Sequence, residues 1–130
     1  MKKFLLYLAA VFYIGAGILH FRATASYLKI MPTYVPWPLA MVYLSGAAEI
    51  AGGIGLLIPR ARRMAAWGLV ALLIAVFPAN LHMAINHIQL GASHLPEWIA
   101  WARLPLQGVL IWWVLWCTQP EPWNYYRDRR

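Results

Sequence analysis

The chain has 130 residues, 62% of them hydrophobic and 12% charged, with a mean hydropathy of +0.57; soluble domains carry roughly 25% charged residues, so this is a membrane composition. The net charge of +7 would point to nucleic acid in a soluble protein, but the basic residues stand in short clusters beside apolar stretches, where topology accounts for them, and no nucleic-acid partner is expected. A single cysteine, Cys117, excludes an internal disulfide or a CxxC redox pair.

The first apolar stretch, residues 4–21, is near the roughly 20 residues that a helix needs to cross the hydrocarbon. His20 ends it, with Gly17 and Tyr13 on its face. A rival reading makes MKKFLLYLAAVFYIGAG a signal peptide cleaved near Ala23-Thr24-Ala25. Cleavage would leave three spans and put the remaining basic clusters on opposite sides, against the positive-inside rule. The next segment, RATASYLKIMPTYVPWP, holds Pro32, Pro36 and Pro38, which prevent a continuous helix, and its aromatics suit an interface. It is read as a lid on the bundle.

The second span, residues 39–58, carries Glu49 in its middle. A mid-span carboxylate costs about 2.5–3.5 kcal/mol on insertion scales, and each Leu, Ile or Val returns about 0.3–0.6. Eight such residues are present, so the terms roughly cancel and Glu49 must face protein. Ser45, Glu49 and Gly53 recur every four residues, with Gly46 and Gly52 beside them, as a stripe that lets another helix approach. Glu49 is then either a buried structural group or a site residue, since ionisable residues within spans are functional candidates.

Pro59 closes this span, and Arg60, Arg62 and Arg63 follow it. The third span, residues 65–86, contains VFPANLHMAINH. Pro78 removes one backbone hydrogen bond and should leave the Ile74 carbonyl without its usual partner. Asn80 and His82 lie about 200° apart on a regular helix, so both reach one pocket only if the proline distorts it. Asn80, with His87 one face-repeat on, is the favoured pair, and His82 is the weaker candidate.

The fourth span, residues 99–117, places Arg103 and Gln107 four apart on one face near the same end as His20. Arg103 is the expected ion-pair partner of Glu49. Most tryptophans fall near span ends, as in aromatic belts, while Trp112 and Trp113 lie deeper. His20, Glu49, His82 and His87 contain no HxxxH or HExxH spacing, so neither a metal nor a haem is expected. The tail EPWNYYRDRR is read as a cytoplasmic segment lying on the headgroups. Eight of the eleven Lys and Arg, namely Lys2, Lys3, Arg60, Arg62, Arg63, Arg127, Arg129 and Arg130, then fall on one side. That makes both termini cytoplasmic.

GAGILHF, MPTYVPWP, VYLSGAAEIAGGIGLLIPRARR, AAWGLVALLIAVFPANLHMA and WARLPLQGVLIWW, in this order, resemble the DoxX-like family of small bacterial membrane proteins. The resemblance implies a four-helix bundle in the bacterial cytoplasmic membrane. It also marks His20, Glu49, Asn80 and the Arg103–Gln107 segment as shared polar features without settled roles. The family takes its name from small subunits of archaeal quinone-reducing oxidoreductases, and related animal proteins are thought to assist receptor assembly.

The expectation is therefore an all-α integral membrane four-helix bundle, one domain over residues 1–130, with an outer lid between spans one and two. Its role is read as that of a non-catalytic accessory or assembly subunit. A polar pocket of His20, Glu49, Asn80, Arg103, Gln107 and His82 would hold a small hydrophobic ligand or a segment of another membrane protein or a second copy. The alternative is a quinone-binding component of an oxidoreductase, with His20 or Gln107 bonding a carbonyl and Glu49 exchanging a proton. Proton-coupled transport draws on the same carboxylate.

Overall fold

A computed structural model describes residues 1–89 and 96–120. Within them the chain forms α1 (Lys2–Arg22), α2 (Thr24–Ile30), α3 (Pro38–Leu57), α4 (Arg62–Ile85) and α5 (Glu97–Thr118), and no strand. Helices α1, α3, α4 and α5 are long and apolar enough to cross a membrane, and their bounds lie within three residues of the spans read from the sequence. The basic tail, with Trp123, Tyr125 and Tyr126, lies outside the described residues.

The lid is half helical. Thr24 bonds the carbonyls of His20 and Phe21 through its hydroxyl, the chain bends at Ala23, and α2 runs until Met31, which is extended ahead of Pro32. Trp37 stands between two prolines with φ of 48°, uncommon for a bulky residue. Pro38, at the first turn where its missing N–H costs nothing, then starts α3.

Small residues set the packing of α1 on α3. A Cβ on Gly17 would stand 2.6 Å from the Gly46 carbonyl oxygen, and one on Gly53 would stand 2.8 Å from that of Ala10. The two backbones therefore touch, as small-residue stripes allow between apolar helices. Gly52 was expected on this stripe but faces Leu69 of α4. One residue turns a helix by about 100°, so Gly46 and Gly53, two turns apart, share a face that Gly52 leaves.

Around the bundle α1 neighbours α3, α3 neighbours α4, α4 neighbours α5, and α5 returns to α1, so α3 and α5 face each other across the middle. One apolar core, including Leu6, Ala10, Leu56, Leu69 and Val114, fills the end near the N-terminus. A smaller one of Ile30, Met83, Ala84 and Ala100 joins α2, α4 and α5 at the other end. Arg62 donates through Nε to the Leu56 carbonyl at 2.8 Å, satisfying one of the orphan acceptors at the end of α3. Lys2 Nζ lies 5.2 Å from the centre of the Trp116 ring, so the start of α1, the α3–α4 turn and the finish of α5 share one end. Lys2, Lys3, Arg60, Arg62 and Arg63 gather there, whereas Arg22, Lys29 and Arg103 belong to the lid half. The outer faces are apolar too, with Val11, Leu44, Ile74 and Trp112 all exposed.

Candidate functional site

Between the two cores the helices stand apart around a cavity of about 620 Å³, walled by all five helices and roofed by Met31, Pro32, Tyr34 and Val35. Tyr13 and Leu73 belong both to its wall and to the larger core, so the cavity sits directly on the packed half. His20, Glu49, Asn80, Arg103 and Gln107, drawn from four helices, all line it. Close contact of Gly46 with His20 and Gly17 fixes the depth at which Glu49, one turn further along α3, meets the end of α1.

Glu49 finds a partner other than the one expected. His20 Nδ1 lies 3.2 Å from Glu49 Oε2, and no ion pair joins Glu49 to Arg103. The reason is topological: α1 packs against α3, whereas α5 stands diagonally opposite with the cavity between. His20 Nδ1 is also 3.0 Å from the Ala16 carbonyl. One nitrogen carries one proton, and with that proton aimed at Ala16 the Oε2 atom has no hydrogen bond of good geometry. The Tyr13 hydroxyl, buried at the cavity floor, likewise lacks a hydrogen-bond partner among the described residues. Tyr27 of the lid stacks on His20, ring centroids 4.0 Å apart. Burial pushes the Tyr27 phenol above its ordinary pKa, the Glu49 charge adds to the rise, and the Arg103 cation opposes it.

Asn80 Nδ2 donates to Gln107 Oε1 at 3.0 Å, and Gln107 Nε2 donates to the Leu73 carbonyl. The acceptor is thus one residue before the Ile74 carbonyl expected to be orphaned by Pro78. A carbonyl has two lone pairs, so Leu73 can accept from the Gln107 side chain as well as from its own helix. Helix α4 nevertheless continues through Pro78, so Asn80 and His82 diverge. His82 leaves the cavity and places Nδ1 3.1 Å from the Ile30 carbonyl, tying α4 to α2. His87 does not extend the Asn80 face, because α4 ends at Ile85 and His87 adopts φ of 53° beyond it. There it lies 3.3 Å from Glu97 on the surface. Among the described residues no three or more His, Cys, Asp or Glu side chains gather as a metal site.

Arg103 lines the cavity and makes no ion pair among the described residues. Tyr27 and Tyr34 are wall residues that sequence reasoning treated only as interfacial aromatics. No periodicity carries across the bend at Ala23, so nothing in the spacing aligned Tyr27 with His20.

The chain belongs to a family described as domain of unknown function DUF8561, whose model matches residues 8–118. That stretch contains every residue of the cavity wall. No curated protein and no solved structure matches the chain.

Proposed function

We propose that this is a non-catalytic multi-pass protein of the bacterial cytoplasmic membrane, with both termini cytoplasmic, and that its cavity holds one small amphipathic molecule. The observation that carries the reading is the cavity itself. Packed helical interiors leave few voids larger than a water molecule, whereas about 620 Å³ lies within the ~300–1,000 Å³ of pockets that enclose small ligands. Its walls mix aliphatic and aromatic surface with a few convergent polar groups, as such pockets do. Apolar outer faces and the basic cluster at one end support bilayer embedding in the stated orientation. Fragments resembling the DoxX-like family supply the walls and support the bacterial assignment.

The accessory or assembly role follows from the same site. An occupant held between α3 and α5 would brace the stretch of the bundle between its two packed cores, and so set the surface shown to a membrane partner or second copy. A quinone is one member of this ligand class. Of the two groups expected to bond its carbonyl, Gln107 is already engaged with Asn80 and Leu73, which leaves His20 for that role.

Native mass spectrometry of protein gently extracted from its own membrane tests the reading. Wild type should carry a defined adduct, and Ala79→Phe, which projects a ring from the cavity wall, should lose it. If wild type flies with bulk lipid only, the cavity is not a ligand site.

A further inference from the structure

Among the described residues, Arg103 is the one wall residue with permanent charge and no counter-charge. Glu49 has His20 at 3.2 Å, Asn80 and Gln107 satisfy each other, and Arg103, half-buried, has no ion pair or hydrogen bond among the described residues. A guanidinium presents five donors in a planar fork that matches a carboxylate or phosphate, and desolvating it without an acceptor is costly. Arg103 stands in the second turn of α5, one turn beyond Ala100, which packs with Ile30 of the lid helix. Arg103 therefore belongs to the lid half, where an entering molecule would leave its head group. Below it the wall is apolar, through Leu106, Val76, Leu110 and Phe12, except for the Asn80 and Gln107 amides, which are bonded to each other and to the Leu73 carbonyl.

We propose that the occupant is a single-chain amphiphile with an acidic head, its carboxylate or phosphate gripped by Arg103 and its apolar chain lying along α4 and α5. This rests on the reading of the cavity as a ligand site and names the chemistry of that ligand. A cationic head is disfavoured because Glu49 already has an imidazole neighbour, whereas Arg103 has no ion-pair partner among the described residues.

The test uses the full chain in nanodiscs of uncharged lipid and four probes of equal chain length: dodecanoic acid, dodecyl phosphate, dodecanol and dodecylamine. Bound fractions are read by native mass spectrometry. Either acid should bind wild type about tenfold or more tightly than the alcohol, as expected for charge-assisted hydrogen bonds in a partly dry site. Preference between the two acids then distinguishes a carboxylate head from a phosphate one.

Arg103→Gln should erase the preference for acid while keeping the thermal unfolding midpoint of wild type, which shows that the variant is folded. Arg103→Lys should retain part of it, keeping the charge and losing the fork. Equal binding of acid and alcohol to wild type, with both lost in Ala79→Phe, would overturn the acidic head and leave the ligand cavity standing. Tightest binding of dodecylamine would overturn it in favour of Glu49 as the recognition group. Should no probe bind wild type and no native adduct be found, both readings fail together.

Discussion

At the basic end of the bundle Leu6, Ala10, Leu56, Leu69 and Val114 leave no room between the helices, whereas nearer the lid the same four helices stand apart around about 620 Å³. The packed half is made of small and aliphatic residues, and it is held by shape. Lipid is as apolar as leucine, so a bundle gains little from hiding leucine and must gain from close contact. The open half replaces contact with polar pairs, the His20–Glu49 ion pair and the Asn80–Gln107 hydrogen bond. Packing ends at Tyr13 and Leu73, and polar chemistry begins on the next turn. Stability should therefore reside in one half and recognition in the other.

The sharpest way to break this contrast is to insert bulk where none fits. Gly53→Leu would drive a side chain into the Ala10 carbonyl and Ile14, and overpacking of this kind costs about 3 kcal/mol. Thermal unfolding in a neutral detergent should show a large fall in midpoint or loss of the monodisperse species. A variant as stable as wild type would mean that α1 and α3 can separate without cost.

Next in size is the buried pair. His20→Leu leaves the Glu49 carboxylate against apolar surface, and since both side chains keep some exposure, 11% and 13%, the loss should be about 2 kcal/mol rather than the full cost of a sealed charge. Converting both residues to leucine should recover most of it, because two apolar groups leave nothing unpaired. A double-mutant cycle on unfolding midpoints measures this coupling. Additive losses would show that the two groups do not interact.

Much of this was legible in the residues themselves. Span positions followed from apolar length, and the small-residue stripe of the second span pointed to a close helix neighbour, though not to α1 as that neighbour. Membership of Glu49, Asn80, Arg103 and Gln107 in one cavity wall could be anticipated from depth and helical face. Partnership could not. Periodicity tells which face a residue occupies and roughly how deep it lies, but says nothing about which helix stands beside which in the ring, and that order gave Glu49 to His20 instead of Arg103. Face-repeat reasoning also assumes that the helix goes on, and His87 fell past the last turn of α4. The helix in the lid and the stacking of Tyr27 on His20 depend on a bend at Ala23 that no spacing rule encodes.

A smaller effect is expected from Gln107→Leu. It removes the acceptor for Asn80 and the donor to the Leu73 carbonyl, but the cavity beside them admits water to replace both, so the loss should be about 1 kcal/mol. Amide hydrogen exchange around Pro78 should rise at the same time, since Gln107 holds α4 at its weakest turn. Unchanged exchange there would show that the proline-bearing turn is held by packing alone.

The smallest effect on stability, and the clearest separation of the two halves, belongs to Ser45→Leu. The change resembles Gly53→Leu in putting a leucine onto the same helix two turns away, yet Ser45 points into open space on the cavity wall and makes no hydrogen bond among the described residues. The added side chain meets an apolar void and gives up only a hydroxyl, so the unfolding midpoint should move by no more than the equivalent of about 0.5 kcal/mol in either direction. Its volume is subtracted from the space an occupant needs, so adduct binding should weaken although the fold is intact. One helix would then carry two leucine substitutions, one that destroys the bundle and one that leaves it standing but without its ligand. If Ser45→Leu instead unfolds the protein as Gly53→Leu does, the open half is packed in solution and the cavity cannot be where recognition occurs.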